Sequence, residues 1–391
     1  MHPVAKSLNN IAAELNSQFL QRRDTIEACV LALLAGEHGF ILGPPGTAKS
    51  ELIRALVERV IGANYFETLL SRTRPEAAVL GPYNLPQLRE KGDYRRKTDG
   101  FLPTADIAML DEVGKMSPIL GHDLLAILNE RVLHEVNGAR SAHPVPLSTC
   151  FTASNEMLTN DSEDAAALWD RLLVRCIVDY LQETSDFVKL LTLKPAPITA
   201  TVEWVDLKDA IANEVPHIGL DRSAIDAMVK LKKQLLDSGI APSDRRWRWS
   251  TKVLKSAAFL AGRDVVTDDD LGALRFTLWD TVEQIQPVER AATSVANPMV
   301  EKLNKYKDQL TELNTGIKKR DGKAMDEKSN YAIEVNSKLK TIRGDLDNLV
   351  QDCKKQGRAT TRVEAVIDTV NQVQREVWVK LLDMDPNHLP R

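Results

Sequence analysis

Clustered histidines, paired cysteines, long apolar runs and a strong charge of either sign are all missing here, and each absence closes off a class of function. The four cysteines, Cys29, Cys150, Cys176 and Cys353, show no C-x-x-C spacing. Neither a zinc ribbon nor a dithiol redox centre is therefore expected, and the usage is that of a reducing, cytosolic compartment. Among seven histidines there is no H-E-x-x-H, so a protein-held metal cluster is not expected. No uninterrupted apolar run approaches about 18 residues. The start Met1-His-Pro-Val-Ala-Lys6 is not a charged segment leading into an apolar one. The expectation is a soluble, cytoplasmic protein without membrane insertion. A net charge of -4 argues against a dedicated nucleic-acid binder, and 5% aromatic residues leave no stacking platform for single strands.

What is present is ordinary globular composition, 43% hydrophobic and 27% charged over 391 residues, which calls for two or three domains. Helical periodicity runs from Ile11 to Leu34 and leads into a buried strand, Gly39-Phe-Ile-Leu42. A loop at 43–48 and a helix through Glu51–Ile61 follow. Ile107–Leu110, Cys150–Ala153 and Val174–Val178 are further apolar strands, so the front of the chain is a parallel α/β sheet. Two insertions interrupt it. Asp99-Gly100 signals a hairpin within Pro75–Thr104, and Asn137-Gly138 signals another within Val132–Leu147. After the Pro- and Thr-rich stretch Lys194–Thr201 come helical patterns at about 203–214, 221–237, 251–262 and 268–283, without strand signals. Asp221 and Thr267 stand as N-caps. From about Ala296 three heptad-like stripes appear: Leu303 to Ile317, Val335 to Leu349, and Val363 to Val377. They fit an antiparallel helical bundle or a projecting coiled coil. A solvated bundle covering its own seam is the plain reading, and a partner-binding element the sharper one. The division expected is 1–193, 194–290 and 291–391.

The chemistry is concentrated in two segments. Gly43-Pro44-Pro45-Gly46-Thr47-Ala48-Lys49-Ser50 joins a strand to a helix, and about sixty residues later a second strand ends in Asp111-Glu112. Backbone N–H groups of such a loop cradle phosphates; Lys49 would neutralise the β- and γ-phosphates, and Ser50 would hold Mg²⁺. Ala48 stands where the general pattern has glycine, which is tolerable if its φ stays negative. Asp111 would hold Mg²⁺ through water, and Glu112 would deprotonate the attacking water. An acidic cap on the helical segment Val113–Arg131 is the plain alternative. Asn155, at the tip of a neighbouring strand, would reach the γ-phosphate or the lytic water, or else form a turn. Arg171 would stabilise transition-state charge in an adjacent subunit's site, or else pair with Asp170. Arg175 is the other candidate for that trans role. The cluster Arg89, Lys91, Arg95, Arg96 and Lys97 is either a substrate-contacting face or a solvated one.

With these residues in this order, joined by Leu128-Asn-Glu-Arg131, Ser243-Asp-Arg245-Arg-Trp247 and Ala258–Asp264, residues 10–285 resemble the MoxR family of AAA+ ATPases. Within it they look most like the RavA-type regulatory ATPases. The resemblance implies an AAA+ core with hairpin insertions, an all-α lid, and ATP and Mg²⁺ as cofactors. It casts Asn155 as the water-positioning sensor, Arg171 as the trans finger and Arg245 as the lid arginine on the γ-phosphate. Family members form hexameric rings and work beside proteins with a von Willebrand factor A domain, remodelling a client protein. The C-terminal helices do not resemble RavA's β-rich segment. A nucleotide-gated scaffold with slow hydrolysis, and a DNA-associated motor, are the alternatives.

Overall fold

The computed structural model describes the chain apart from residues 93, 136–140, 159–162, 194–196, 297, 321–324, 356–359, 383 and 385–391. The chain divides into two compact units, Met1–Ala296 and Asn297–Arg391.

The first unit is built on a five-stranded parallel sheet: β1 (Gly39–Leu42), β2 (Tyr65–Leu69), β3 (Ile107–Asp111), β4 (Thr149–Ser154) and β5 (Val174–Ile177), in the order β2-β3-β4-β1-β5. β1 and β4 are buried along their whole length because helices cover both faces. Helix α1 (Pro3–Gln18) buries Leu8, Ile11 and Leu15, and α2 (Arg23–Ala35) is buried almost all round before Gly36 closes it in left-handed backbone. The edge strand β2 carries no apolar run. Its alternation Tyr-Phe-Glu-Thr-Leu buries only Phe66 and Thr68, which is why periodicity over a four-strand sheet passed it by. Cys29, Cys150 and Cys176 lie in this core. Burial pushes the thiols of Cys150 and Cys176 up to about 12, and that of Cys29 upward as well.

The two insertions behave differently. Val132–Glu135 and Ser141–Pro144 pair antiparallel, giving the expected second hairpin; its turn at Asn137-Gly138 lies outside the described residues. The first forms no hairpin at Asp99-Gly100. It holds short helices at Ala77–Leu80 and Leu85–Lys91 and a single bridge between Tyr83 and Arg96, and Asp99-Gly100 turns into a 3₁₀ segment, Leu102–Thr104. The flanking residues lack the alternation a hairpin needs. Beyond Glu112 the helix expected from Val113 is also broken: Val113–Lys115 is a 3₁₀ turn, and α4 (Pro118–Glu130) starts afresh with Ser117 as its cap and Pro118 at its first position.

After α5 (Glu163–Arg171) and β5, the helical region includes α6 (Arg222–Asp237), α7 (Asp244–Leu260) and α8 (Ile285–Ala296). Asp221 caps α6, and Ser243 caps α7 seven residues earlier than the apolar pattern suggested. Thr267 and Asp270 form a capping box, but on a 3₁₀ run, Asp268–Phe276, rather than an α-helix. Two-residue parallel pairings, Gly219–Leu220 with Val265–Val266 and Val60–Ile61 with Val202–Glu203, add strand where none was expected.

The second unit contains α9 (Pro298–Arg320), α10 (Met325–Lys355) and α11 (Thr361–Glu376). Leu310, Ile317, Val335, Leu339, Leu346, Val363, Val366, Val373 and Val377 close one apolar seam, so the stripes cover one another. Tyr331 packs against Gly316, where a β-carbon would collide with its hydroxyl.

Candidate nucleotide site

Three strands of the sheet end at one place, at their carboxyl tips, where open α/β sheets bind ligands. From β1 the loop 43–48 passes close under β5. A β-carbon on Gly43 would sit 2.2 Å from the Val178 carbonyl oxygen, so only glycine fits. The Gly43 N–H donates to Ser154 O at 3.1 Å, tying the loop to the tip of β4. Thr47 Oγ1 donates to Pro44 O at 2.8 Å and stiffens the turn. Gly46 and Ala48 both adopt left-handed backbone, with φ of 78° and 63°. The expectation that Ala48 keeps a negative φ is therefore wrong. Entry into α3 (Lys49–Val57) requires a left-handed residue there, and alanine accepts the cost of about 1 kcal/mol.

Lys49 is buried, its ammonium donating to Gly43 O at 2.7 Å, Pro44 O at 2.9 Å and Asn155 Oδ1 at 2.9 Å. Burial lowers its pKa, against the opposing pull of Asp111 and Glu112. Ser50 Oγ donates to Asp111 Oδ2 at 2.6 Å, and Asp111 Oδ1 accepts the Glu112 N–H at 2.9 Å. Glu112 itself is left-handed, φ 57°, a strained posture for a residue with a side chain. Its Oε1 accepts from Asn155 Nδ2 at 2.9 Å and its Oε2 pairs with Lys115 Nζ at 2.5 Å. Asn155 thus bridges lysine and glutamate, oxygen to one and nitrogen to the other. Lys49, Ser50, Asp111, Glu112 and Asn155 form one hydrogen-bonded constellation. Two hard oxygens side by side, Ser50 Oγ and Asp111 Oδ2, are a donor set that suits Mg²⁺.

The arginines form a second group. Arg171, at the end of α5, is turned onto its own chain: Nε donates to Asn129 Oδ1 at 2.9 Å and Nη1 pairs with Asp170 at 3.0 Å. Arg245, in the first turn of α7, reaches the same Asp170 oxygen at 3.3 Å and lies over the Trp249 ring. Arg175 is no alternative finger. Its side chain is fully buried, with its guanidinium stacked 3.6 Å from the centre of the Trp169 ring. It donates to Leu172 O, Trp169 O, Trp279 O and Asp280 Oδ1. Arg246 lies parallel in function, donating to Thr277 O and to Leu172 O and Leu173 O at 3.1 and 3.0 Å. Together these buried arginines strap the sheet side of the unit to the segment 277–280. Of the basic cluster, Arg96 serves the insertion itself, pairing with Glu76 at 2.8 Å and donating to Gly81 O at 3.0 Å.

Several contributors have no motif of their own. His38 is buried between Cys150 N–H, which donates to its Nδ1 at 3.0 Å, and Leu128 O, which accepts at 2.9 Å from Nε2. Arg131 is left-handed, φ 56°, and donates to Leu128 O, Gly36 O and Ser148 O. The signal was a histidine and an arginine at the borders of apolar elements, and within Leu128–Arg131 each polar residue has a partner to place.

A family model for the MoxR domain of MoxR–vWA–beta-propeller ternary systems matches residues 6–193, and one for the AAA lid domain matches 223–292. The chain belongs to the MoxR family of AAA+ ATPases. Two uncharacterized proteins of Methanocaldococcus jannaschii are similar to this MoxR protein along most of their length. MJ0079 is 35% identical over 379 residues, spanning 95% of this chain and 97% of its own, so the similarity extends into the C-terminal segment. MJ0812 is 36% identical over 313 residues, spanning 80% of this chain and 82% of its own. The crystal structure of a protein described as a candidate ATPase from Cytophaga hutchinsonii covers 74% of this MoxR chain and 93% of its own, with a TM-score of 0.56. At 15% identity it shows the shared fold alone. Among the described residues no helix is long and apolar enough to cross a membrane.

Proposed function

We propose that this MoxR protein hydrolyses Mg²⁺-ATP at sites shared between subunits of a homo-oligomeric ring, a hexamer by family analogy, and uses the cycle to remodel a client protein. The observation that carries the reading is the convergence of Lys49, Ser50, Asp111, Glu112 and Asn155 in one hydrogen-bonded set at the strand tips. In this reading the backbone of Gly43–Ala48 cradles the phosphates and Lys49 neutralises them. Ser50 would hold Mg²⁺ directly and Asp111 through water, and the metal would supply positive charge against the β- and γ-phosphates. Glu112 takes the proton of the attacking water while Asn155 fixes the carboxylate and touches the γ-phosphate. Arg245 acts on the ATP of its own subunit and Arg171 on that of the adjacent one. The working division is a core over 1–193, a lid over 194–290 and a helical bundle over 291–391. A von Willebrand factor A protein is the proposed partner, since the matching family model is described from MoxR–vWA–beta-propeller systems. The RavA-type character rests on the sequence stretches given above.

The test is turnover per subunit across protein concentration, with Glu112→Gln alongside. Turnover should rise with concentration, and the variant should lose about a hundredfold or more while still binding ATP. Unchanged turnover in Glu112→Gln would remove glutamate from the role of base. No turnover at any concentration, with ATP bound, would favour a nucleotide-gated scaffold.

A further inference from the structure

Asp170 has no part in the chemistry above, yet both arginines assigned to the reaction lie on it. One oxygen, Oδ2, accepts from Arg171 Nη1 at 3.0 Å and from Arg245 Nη1 at 3.3 Å. Two guanidiniums compete for one carboxylate, and a carboxylate makes a good bidentate pair with only one. Burial and the nearness of Arg245 push the Arg171 pKa down, against the opposing pull of Asp170. The backbones on either side are joined more firmly. Arg246, next to Arg245, grips the carbonyls of Leu172 and Leu173, next to Arg171. The side chains of Arg171 and Arg245 are therefore the parts free to change partner.

We propose that Asp170 is a positioning residue that sets the lid arginine of one site against the finger serving the next. This rests on the reading of Arg245 as acting in its own subunit and Arg171 in the adjacent one. When Arg245 turns to its own ATP, the whole charge of Asp170 falls to Arg171 and retains it. When Arg171 reaches across, Asp170 retains Arg245. Departure of both strands a carboxylate that is only 32% exposed. Neighbouring sites consequently engage out of step, and successive ATP molecules bind with an affinity difference of about two- to fivefold, the range of a partly exposed ion pair.

The experiment titrates a fluorescent ATP analogue onto full-length Glu112→Gln protein, and onto the same protein carrying Asp170→Asn or Asp170→Glu. Thermal melting serves as a check on folding. The expected isotherm has a Hill coefficient below one, rising to one with Asp170→Asn and returning below one with Asp170→Glu. A merely structural aspartate would move the melting temperature and leave the Hill coefficient alone. Should Asp170→Asn fail to fold, Asp170→Ser removes the same charge and should move the coefficient the same way. An isotherm that is non-cooperative from the start, or that neither variant alters, overturns the clamp and leaves the ATP site standing. Absence of ATP binding throughout would bring down the ATP-site reading and the clamp with it.

Discussion

Ala48 carries a methyl group in left-handed backbone at the entrance to α3, a place where glycine would sit without strain. Ala48→Gly should raise stability by about 0.5–1 kcal/mol in urea unfolding, the relief of strain exceeding the added freedom of the unfolded chain. A loss of stability would show that the loop holds alanine at no cost. The arginines make a sharper contrast. Arg171→Ala removes a partly exposed ion pair and should change stability by less than about 1 kcal/mol, while turnover falls about 10³-fold if the side chain serves an adjacent site. Arg175→Met instead dismantles a buried network on Trp169, Trp279 and Asp280 and should cost about 2–4 kcal/mol in stability. Equal melting losses in the two variants would contradict this division of labour. At this scale the sequence exposed what chemistry demands: lysine, serine and carboxylates at set distances along the chain. Arg246, His38 and Asn129 stayed hidden because their partners lie 74, 112 and 42 residues away. Only the fold makes those pairs.

Elements were legible where burial is uniform and obscure where it alternates. β1, β3 and β4 show as apolar runs because both faces are covered, and the three C-terminal stripes show because one seam takes every third or fourth residue. β2 is half covered at the sheet edge, and the 3₁₀ run Asp268–Phe276 presents nearly the same spacing as an α-helix. The junction of β1, β4 and α4 carries its own prediction. Burial, with Arg131 close by, holds the His38 pKa well below the usual histidine value. The unfolded chain therefore takes up the proton first. The stabilising contribution is complete above about pH 6.5 and declines as pH falls toward the folded pKa, by up to about 1.4 kcal/mol per unit. Denaturant unfolding from pH 7 to 5 should show a slope that His38→Gln makes shallower. Identical slopes in both proteins would mean that His38 takes up its proton as readily in the fold as in the unfolded chain.

For the molecule as a whole, the division at Ala296 and Asn297 gives two cores with separate apolar clusters. Calorimetry should resolve two unfolding events. Val366→Asp places a charge in the seam of α9 to α11 and should abolish one event while leaving ATP binding and the other event in place. A single event lost entirely in the variant would mean that the two cores unfold as one. The same experiment bears on function. If the bundle couples hydrolysis to a client, Val366→Asp should keep basal turnover and lose stimulation by the partner.

Three native thiols, at Cys29 on α2, Cys150 on β4 and Cys176 on β5, are enclosed in the core of the sheet whose strand tips bear the loop 43–48 and Asn155. Enclosure and a raised pKa leave them nearly inert to alkylation, since the thiolate is the reactive form. With Cys353 replaced, each alkylation event would then record one opening of the sheet, so the protein carries its own chronometer. Labelling rates measured with and without ATP would time how often the nucleotide-binding half breathes, without any probe being added to it.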